Sequence, residues 1–376
     1  MTNQEACIIL NMLSGIGPAR LNALMAFCGE PQEIFRTSQK DLASIQNISE
    51  NIAEKIVNWE KYLDLKHELE LAKRGGVSII TRMDEEYPKL LSEIHDPPIC
   101  LYIRGKLPED LSNRSLAVVG TRNVTSYGQR MAKHLSEAAA YASFVVVSGL
   151  AYGVDAIAHR AALDAGGETV SVLGGGLARI QPQEHVPLAR EIAMHGAVIS
   201  EFPLETNPTR HTFPLRNRII SGLSRGTLVI EAGLNSGSLI TASFALEQGR
   251  TVFAVPGQAD NPQAAGCNRL IRQNAVLTET FDDILEEFDF LPGFGRHENM
   301  LREEEAAASL LSEDGEDSSI SSESAKILDL LQKEDASVDE LSAATGLPAA
   351  EISASLIALE LLRRVKKAGL KYHRIR

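Results

Sequence analysis

The sequence predicts an α/β protein: a Rossmann-like parallel sheet core with a small helical domain before it and a winged, helical domain after it. Three observations carry that reading. Between residues 76 and 290, short apolar runs rich in Val and Ile alternate with stretches of helical periodicity, the texture of strands buried on both faces of a parallel sheet. Gly or Ser closes several of those runs, at Gly120, Ser148, Gly174 and Ser200, where loops at carboxyl strand ends build sites. A Gly-, Ser- and acid-rich tract over 291–324 then separates the core from the last helical stretch, 325–376.

Residues 1–75 read as helical. Ile8, Ile9, Met12 and Leu13, then Leu21, Leu24 and Met25, recur at helical spacing around the interruption Ser14-Gly15-Ile16-Gly17-Pro18. A Gly-Ile-Gly turn between helices is similar to a helix-hairpin-helix of the SAM-like kind, whose turn N–H groups can meet a phosphate. The comparable place further on, Gln46-Asn47-Ile48-Ser49-Glu50-Asn51, has no glycine, so the second hairpin reads as degenerate. Packing or protein contact is the preferred role here over DNA contact.

In the core, Leu116–Gly120, Phe144–Gly149, Thr169–Gly174, Ala197–Ser200, Gly226–Ile230 and Thr251–Val255 read as strands. Gln129–Tyr141, Asp155–Ala165 and Ser238–Gln248 read as helices between them. Past the acidic tract, Ile327, Leu328, Leu330 and Leu331 open one helix, Ser337 looks like the N-cap of a second, and Gly346-Leu347-Pro348 turns into a third. The basic segment from Arg363 to Arg374 then suits a two-stranded wing, for duplex reading or for protein contacts.

Composition narrows the function classes. A length of 376 residues implies two or three domains. No apolar run is long enough to span a bilayer and the N-terminus lacks a basic leader, so a cytoplasmic protein with no membrane partner is expected. Cys7, Cys28, Cys100 and Cys267 form no CxxC pair, and the nine His show no ligand spacing, so neither metal nor disulfide framework is supported. The net charge of −13 argues against a polyanion partner only until it is divided along the chain. Residues 114–278 carry 14 Lys/Arg against 11 Asp/Glu, whereas 303–324 carry 8 acids and no base.

Within that positive segment, Phe213-Pro214-Leu215-Arg216-Asn217-Arg218 sets two guanidinium forks about an amide, a pattern suited to phosphates. Phe213 offers a ring that either stacks a base or plugs the core. Upstream, Gly120-Thr121-Arg122 combines close backbone approach, a hydroxyl and a charged fork before a helix whose N-terminus adds donors. Downstream, Ser236-Gly237-Ser238 and Thr241 offer hydroxyls and N–H groups, although an ordinary serine N-cap explains them almost as well. Three loops thus converge on one polyanion, with Ser148 and Gly149 at a neighbouring strand end and Arg210 as a weaker cation. Gly174, Gly175 and Gly176 suit a phosphate cradle. Asp155 and His159, at i and i+4, are read as a helix-stabilising pair in preference to an acid/base pair. G-T-R-N-V-T-S-Y-G is not the dinucleotide fingerprint, so no nicotinamide or flavin cofactor is expected.

These motifs, in this order, resemble the DprA/Smf family of DNA-processing proteins. The likeness runs from Val118-Val119-Gly120-Thr121-Arg122 through Ser148-Gly149-Leu150-Ala151-Tyr152-Gly153-Val154-Asp155 and Gly174-Gly175-Gly176. It continues through Ser200-Glu201-Phe202-Pro203, the Arg/Asn segment, Ser236 to Ala242, and Val255-Pro256-Gly257. The resemblance implies a non-enzymatic, single-stranded-DNA-binding recombination mediator that forms a homodimer and helps load a RecA-type recombinase in natural transformation. The chain departs from the family's pattern at Ala178-Arg179-Ile180-Gln181-Pro182, where an aspartate and a tyrosine are common. The enzyme alternative, a Rossmann-like nucleotide phosphoribohydrolase, carries P-G-G-x-G-T-x-x-E where this chain reads Glu231-Ala232-Gly233-Leu234-Asn235-Ser236-Gly237-Ser238.

Overall fold

The computed structural model describes residues 1–288 and, further along, 327–328, 330–331, 336–345, 352, 355–356, 359, 365–368 and 371–374. The expected acidic linker at 291–324 lies outside the described residues. The chain divides into two compact units, Met1–Gly295 and Arg296–Arg376.

The described part of the first unit holds nine strands: β1 (Val77–Thr81), β2 (Cys100–Gly105), β3 (Ser115–Val119), β4 (Val145–Ser148), β5 (Thr169–Val172), β6 (Gly196–Ser200), β7 (Gly226–Val229), β8 (Thr251–Ala254) and β9 (Val276–Leu277). They form one sheet in the order β1-β2-β6-β5-β4-β3-β7-β8-β9. From β6 to β9 every pairing is parallel, with Val118 opposite Leu228 and Ala117 opposite Val147. Only β2 runs against its neighbours, β1 and β6. Connections leave β3 outward through β4, β5 and β6, then restart on the other side of β3 with β7. That reversal opens a crevice beyond the carboxyl ends of β3 and β7.

Alternation along β3 shows why both faces are covered. Leu116 and Val118 join one core with Leu135, Phe144 and Ile284, while Ala117 and Val119 join another with Ile219, Ile220 and Ala242. All six expected strands form. The antiparallel β1 and β2 leave no clear mark in the sequence, because their pairing is decided by contact with β6, distant in sequence. The Phe213–Ser224 segment, expected as a loop, is instead the helix Thr212–Gly222. Its proline is tolerated because a first-turn N–H has no intrahelical partner to lose.

The N-terminal helices Asn3–Met12, Pro18–Cys28, Pro31–Ile34, Gln39–Ala43, Glu50–Val57 and Leu65–Arg74 share a hydrophobic core with Tyr102, Leu173, Val198 and Leu204 of the sheet region. Polar ties join the same parts: Gln4 Nε2 donates to Ile79 O at 2.9 Å, and the buried Glu68 carboxylate accepts from Leu204 N at 2.8 Å. The hairpin that lacked a glycine proves intact. Gly15 (φ 93°) and Asn47 (φ 67°) both take the left-handed conformation, each three residues before a helix start at Pro18 or Glu50. Asn tolerates that region better than other non-glycine residues. Arg20 ties the two turns together, donating to Gly15 O and, at 2.9 Å, to Asn47 O.

In the second unit, Ser337 and Glu340 form a reciprocal capping box on the helix Val338–Thr345, as the serine predicted. β10 (Val365–Ala368) and β11 (Lys371–Arg374) pair antiparallel as the wing. Ala336 bridges to Tyr372, and Ile327, Leu331, Leu341, Ile352, Leu356 and Val365 supply the core.

Candidate functional site

The crevice at the switch point is a groove of about 440 Å³. Gly120, Arg122, Arg210, Phe213, Arg216, Asn217, Ser236, Gly237, Ser238 and Thr241 all line it. Val119, Ala151, Asp155, Pro214, Ile220 and Ile240 line it as well and were not among the expected contacts. For Ala151 and Asp155 a signal existed: the Ser148-to-Gly153 run leaves β4 beside β3, so its loop belongs to the same crevice.

Arg216 sits at the floor of the groove. It is buried, its Nη1 donates to Val172 O at 2.7 Å, and its Nε has no hydrogen-bond partner. Gly149 is there to make room: a Cβ on it would fall 1.7 Å from Arg216 Nη1. Burial pulls the Arg216 guanidinium below its usual value, Asp155 opposes that shift, and Arg122 adds to it by like-charge repulsion. Asp155 is pushed up by burial and held down by Arg216, by the N–H groups of Ala151 and Gly149, and by Arg122. One buried carboxylate therefore partly compensates two guanidinium groups.

Arg122 is exposed and lies over the Phe213 ring, 5.5 Å from its centroid. Phe213 in turn packs against Gly174, where a Cβ would meet its ring at 2.8 Å. The ring is half-buried. On the far wall, Asn217 Nδ2 donates to Gly237 O at 3.3 Å, joining the Thr212–Gly222 helix to the serine loop. The helix Ser238–Glu247 begins there with Gly237 as N-cap and no side-chain cap bond. Ser236 Oγ lies 2.8 Å from Ser238 Oγ and accepts from Ser238 N at 3.4 Å, so a serine does take a first-turn donor although Gly237 holds the N-cap position, and the helix's positive end faces the groove.

Other expected contacts have different positions. Arg218 is 3% exposed and makes a bidentate pair with Glu201 (Nη2 to Oε2 2.6 Å, Nη1 to Oε1 3.1 Å) plus a bond from Nε to Asp96 Oδ2 at 3.0 Å. Burial alone would lower its pKa; the two carboxylates more than reverse this, so the side chain staples the helix to the end of β6. It occupies a structural position, since its neighbour at i−2 takes the groove-facing side of the same helix.

Thr121 is buried and its Oγ1 accepts from Asn123 N at 3.2 Å, while Ser148 Oγ donates to Val118 O at 2.6 Å. Both hold the crevice walls. The helix expected to present donors after Gly120-Thr121-Arg122 starts at Ser126, where Thr125 caps it and Glu231 takes the free donors, accepting from Thr125 N (2.9 Å) and Oγ1 (2.5 Å). That N-terminus already has its anion. Gly174 to Gly176 are covered by Phe213, Pro208 and Leu204, so the chain itself fills the expected cradle. Asp155 and His159 do not pair with each other. Asp155 accepts from Ala151 N at 3.3 Å, and His159 Nδ1 lies 2.7 Å from Thr169 Oγ1.

Fold and groove together define a Rossmann-like α/β protein with a cationic crevice at its topological switch point. The chain belongs to the DNA recombination-mediator protein A family, whose model matches residues 78–289. The flanking parts match a SAM-like helix-hairpin-helix tandem over 8–58 and a DprA winged helix domain over 305–369. Over 399 aligned residues the chain is 33% identical to Protein Smf of Synechocystis, covering 100% of both chains. Its fold is similar to DNA processing protein A (DprA) of Streptococcus pneumoniae, with 32% identity, TM-score 0.66, and coverage of 77% of this chain and 99% of that one. It is similar also to DNA processing protein A of Helicobacter pylori, solved for its single-stranded DNA binding mode, with 28% identity, TM-score 0.50, and coverage of 56% and 95%. Among the described residues no helix is long and apolar enough to cross a membrane, and no cluster of His, Cys, Asp and Glu is arranged to hold a metal.

Proposed function

We propose that this protein binds single-stranded DNA through its phosphates in the switch-point groove and serves, without catalysis, as a recombination mediator. One observation carries the reading: Arg122 and Arg216 repel each other across one crevice whose lining includes only Asp155 as counter-charge. An anion between them relieves that repulsion, and the positive end of the Ser238–Glu247 helix faces it from the other wall, its first N–H groups being bonded within the chain to Ser236 and Gly237. Gly120, Thr121, Ser148 and Gly149 shape the backbone, Arg210 widens the positive mouth, and Phe213 with Arg122 forms the stacking edge on which a base rests. Nothing in the groove resembles a base-reading array, so binding is independent of sequence. The Helicobacter pylori relative's single-stranded DNA binding mode supports this ligand.

A mediator of this kind acts as a cytoplasmic homodimer that hands the strand to a RecA-type recombinase in natural transformation. Against a phosphoribohydrolase, Glu231, the carboxylate nearest the missing catalytic pattern, is turned into a helix N-terminus and bonded to Thr125.

Titration of labelled single- and double-stranded oligonucleotides across salt concentrations tests the reading. Arg122→Ala is expected to weaken single-strand binding and shallow the salt slope by about 0.7. Arg218→Ala, as a control, should destabilise the fold by roughly 3–5 kcal/mol because Glu201 is left buried and unpaired. Unchanged affinity and slope in a folded Arg122→Ala/Arg210→Ala protein would overturn the proposal.

A further inference from the structure

A second cavity, of about 540 Å³, lies among the Leu177–Gln183 loop, the Val186–Met194 helix and β2. Arg104, Arg179 and Arg190 line it, together with Ile180, Gln183 and Asn207, and no carboxylate is among its lining residues. Arg104 is the anchor. Its backbone is fixed in β2 opposite Val198, its side chain is half-buried, and its Nε is buried with no hydrogen-bond partner. Gly75 lets it lie there, since a Cβ at that position would stand 3.3 Å from Arg104 Nη2.

Arg190, exposed at the rim, makes no ion pair among the described residues. Arg179 has one loose partner, Glu205 Oε1 at 3.4 Å, and Glu205 also faces His67 Nε2 at 3.5 Å. Exposed pairs of that length are weak, and Arg179 is free to exchange this one for a better anion. Three guanidinium groups around one cavity, with an orphaned buried donor among them, make an anion site by the same logic as the first groove.

One short segment reaches both cavities. Asn207 lines the second and Arg210 the first, three residues apart, so at most about 11 Å of extended chain separates them. The Gly174-to-Gly176 run packs against that segment and its neighbour, with Gly174 against Phe213 and Gly175 against Pro208.

We propose that Arg104, Arg179 and Arg190 form a second phosphate subsite, which takes the backbone of a strand running on from the first groove past Asn207. The inference rests on the reading of that groove as a DNA site. It assigns the pocket a phosphodiester ligand, held by charge and without base contacts.

The test uses the full chain and two labelled oligothymidines, one of about six nucleotides that fills a single groove and one of about twenty that reaches both. Arg179→Ala/Arg190→Ala, both exposed positions, is expected to weaken the long strand several-fold and shallow its salt slope by about 1.4, at about 0.7 per lost contact. The short strand should be unaffected. Arg104→Ala should act in the same direction, and the exposed pair carries the test if that variant fails to fold. Unchanged long-strand binding, or equal losses on both strands, overturns the proposal. Thymidine monophosphate titrated alone separates the sources: if it binds the wild type and not the double variant while the long strand is indifferent, the pocket serves a free nucleotide and the strand path is wrong. If the short strand fails to bind the wild type at all, the first-groove reading fails by itself. Loss of long-strand or monophosphate binding in the variant then reports on the second pocket alone.

Discussion

His159 is fully buried on the Val154–Asp164 helix, with Nδ1 2.7 Å from Thr169 Oγ1 and Nε2 without a partner. The Thr169 hydroxyl donates to Val146 O at 2.6 Å, so its oxygen is left to accept and the imidazole proton sits on Nδ1. Protonating Nε2 would place a charge in the core beside Arg216. Burial first, then Arg216 and His185, pull the pKa from 6.5 down to about 3. The unfolded chain therefore binds the extra proton between pH 6.5 and about 3 while the folded chain refuses it. Stability from this group is complete above pH 6.5 and is lost as pH falls through that window. His159→Gln, which keeps a donor for Thr169, is expected to flatten the acid side of the stability curve. Urea unfolding of both proteins at pH 7 and pH 4.5 checks this, and an equal acid loss in both would assign the effect elsewhere. Sequence spacing puts Asp155 and His159 within reach of each other, but Asp155 bonds the loop N–H of Ala151 and His159 the hydroxyl of Thr169 on β5. Arg216 and Arg218 are equally indistinguishable in sequence: which faces the groove depends on the helical rotation of their segment, and its composition reads as a loop.

At the scale of elements, strands buried on both faces were legible because their composition alone marks them, as in Phe144-Val145-Val146-Val147 or Thr169-Val170-Ser171-Val172. The antiparallel edge and the Thr212–Gly222 helix were not, since tertiary pairing decides the first and a first-turn proline disguised the second. Loops at the switch point were legible as glycines, and Gly153 shows what one of them does. It has φ 77° and ψ −126°, and a Cβ there would stand 2.4 Å from Thr121 O. The loop after β4 thus presses on the loop after β3 through a residue that must lack a side chain. Gly153→Ala is expected to cost about 1–3 kcal/mol in backbone strain. The same change should displace Thr121 and Arg122 and weaken oligonucleotide binding even where the protein remains folded. Denaturation and binding measured on one preparation separate the two effects, and full affinity in the folded variant would uncouple the loops.

For the whole molecule, the charge distribution and the packing point to where the proposed DNA-binding unit ends. The sequence places a boundary after residue 75, yet Ile8, Leu24, Ile34 and Ile56 share one core with Tyr102, Val198 and Leu204. Cutting at residue 75 would expose that core. We expect residues 76–290 to be poorly folded alone and residues 1–290 to keep most of the single-strand affinity. The acidic tract contributes only repulsion to a polyanion, so removing residues 291–376 should, if anything, speed association at low salt. The strongest objection is the C-terminal segment Arg363–Arg376, where seven Lys/Arg fall in fourteen residues. Such a patch holds DNA by charge alone, and that attraction fades as salt screens it, whereas a groove that adds base stacking retains part of its affinity. Titrating residues 1–290 and residues 325–376 separately at low and physiological salt decides between them. The long fragment should bind more tightly at both concentrations, with the gap widening as salt rises. A C-terminal fragment that wins at both would move the DNA site to the winged helix and leave the arginine groove to another anion.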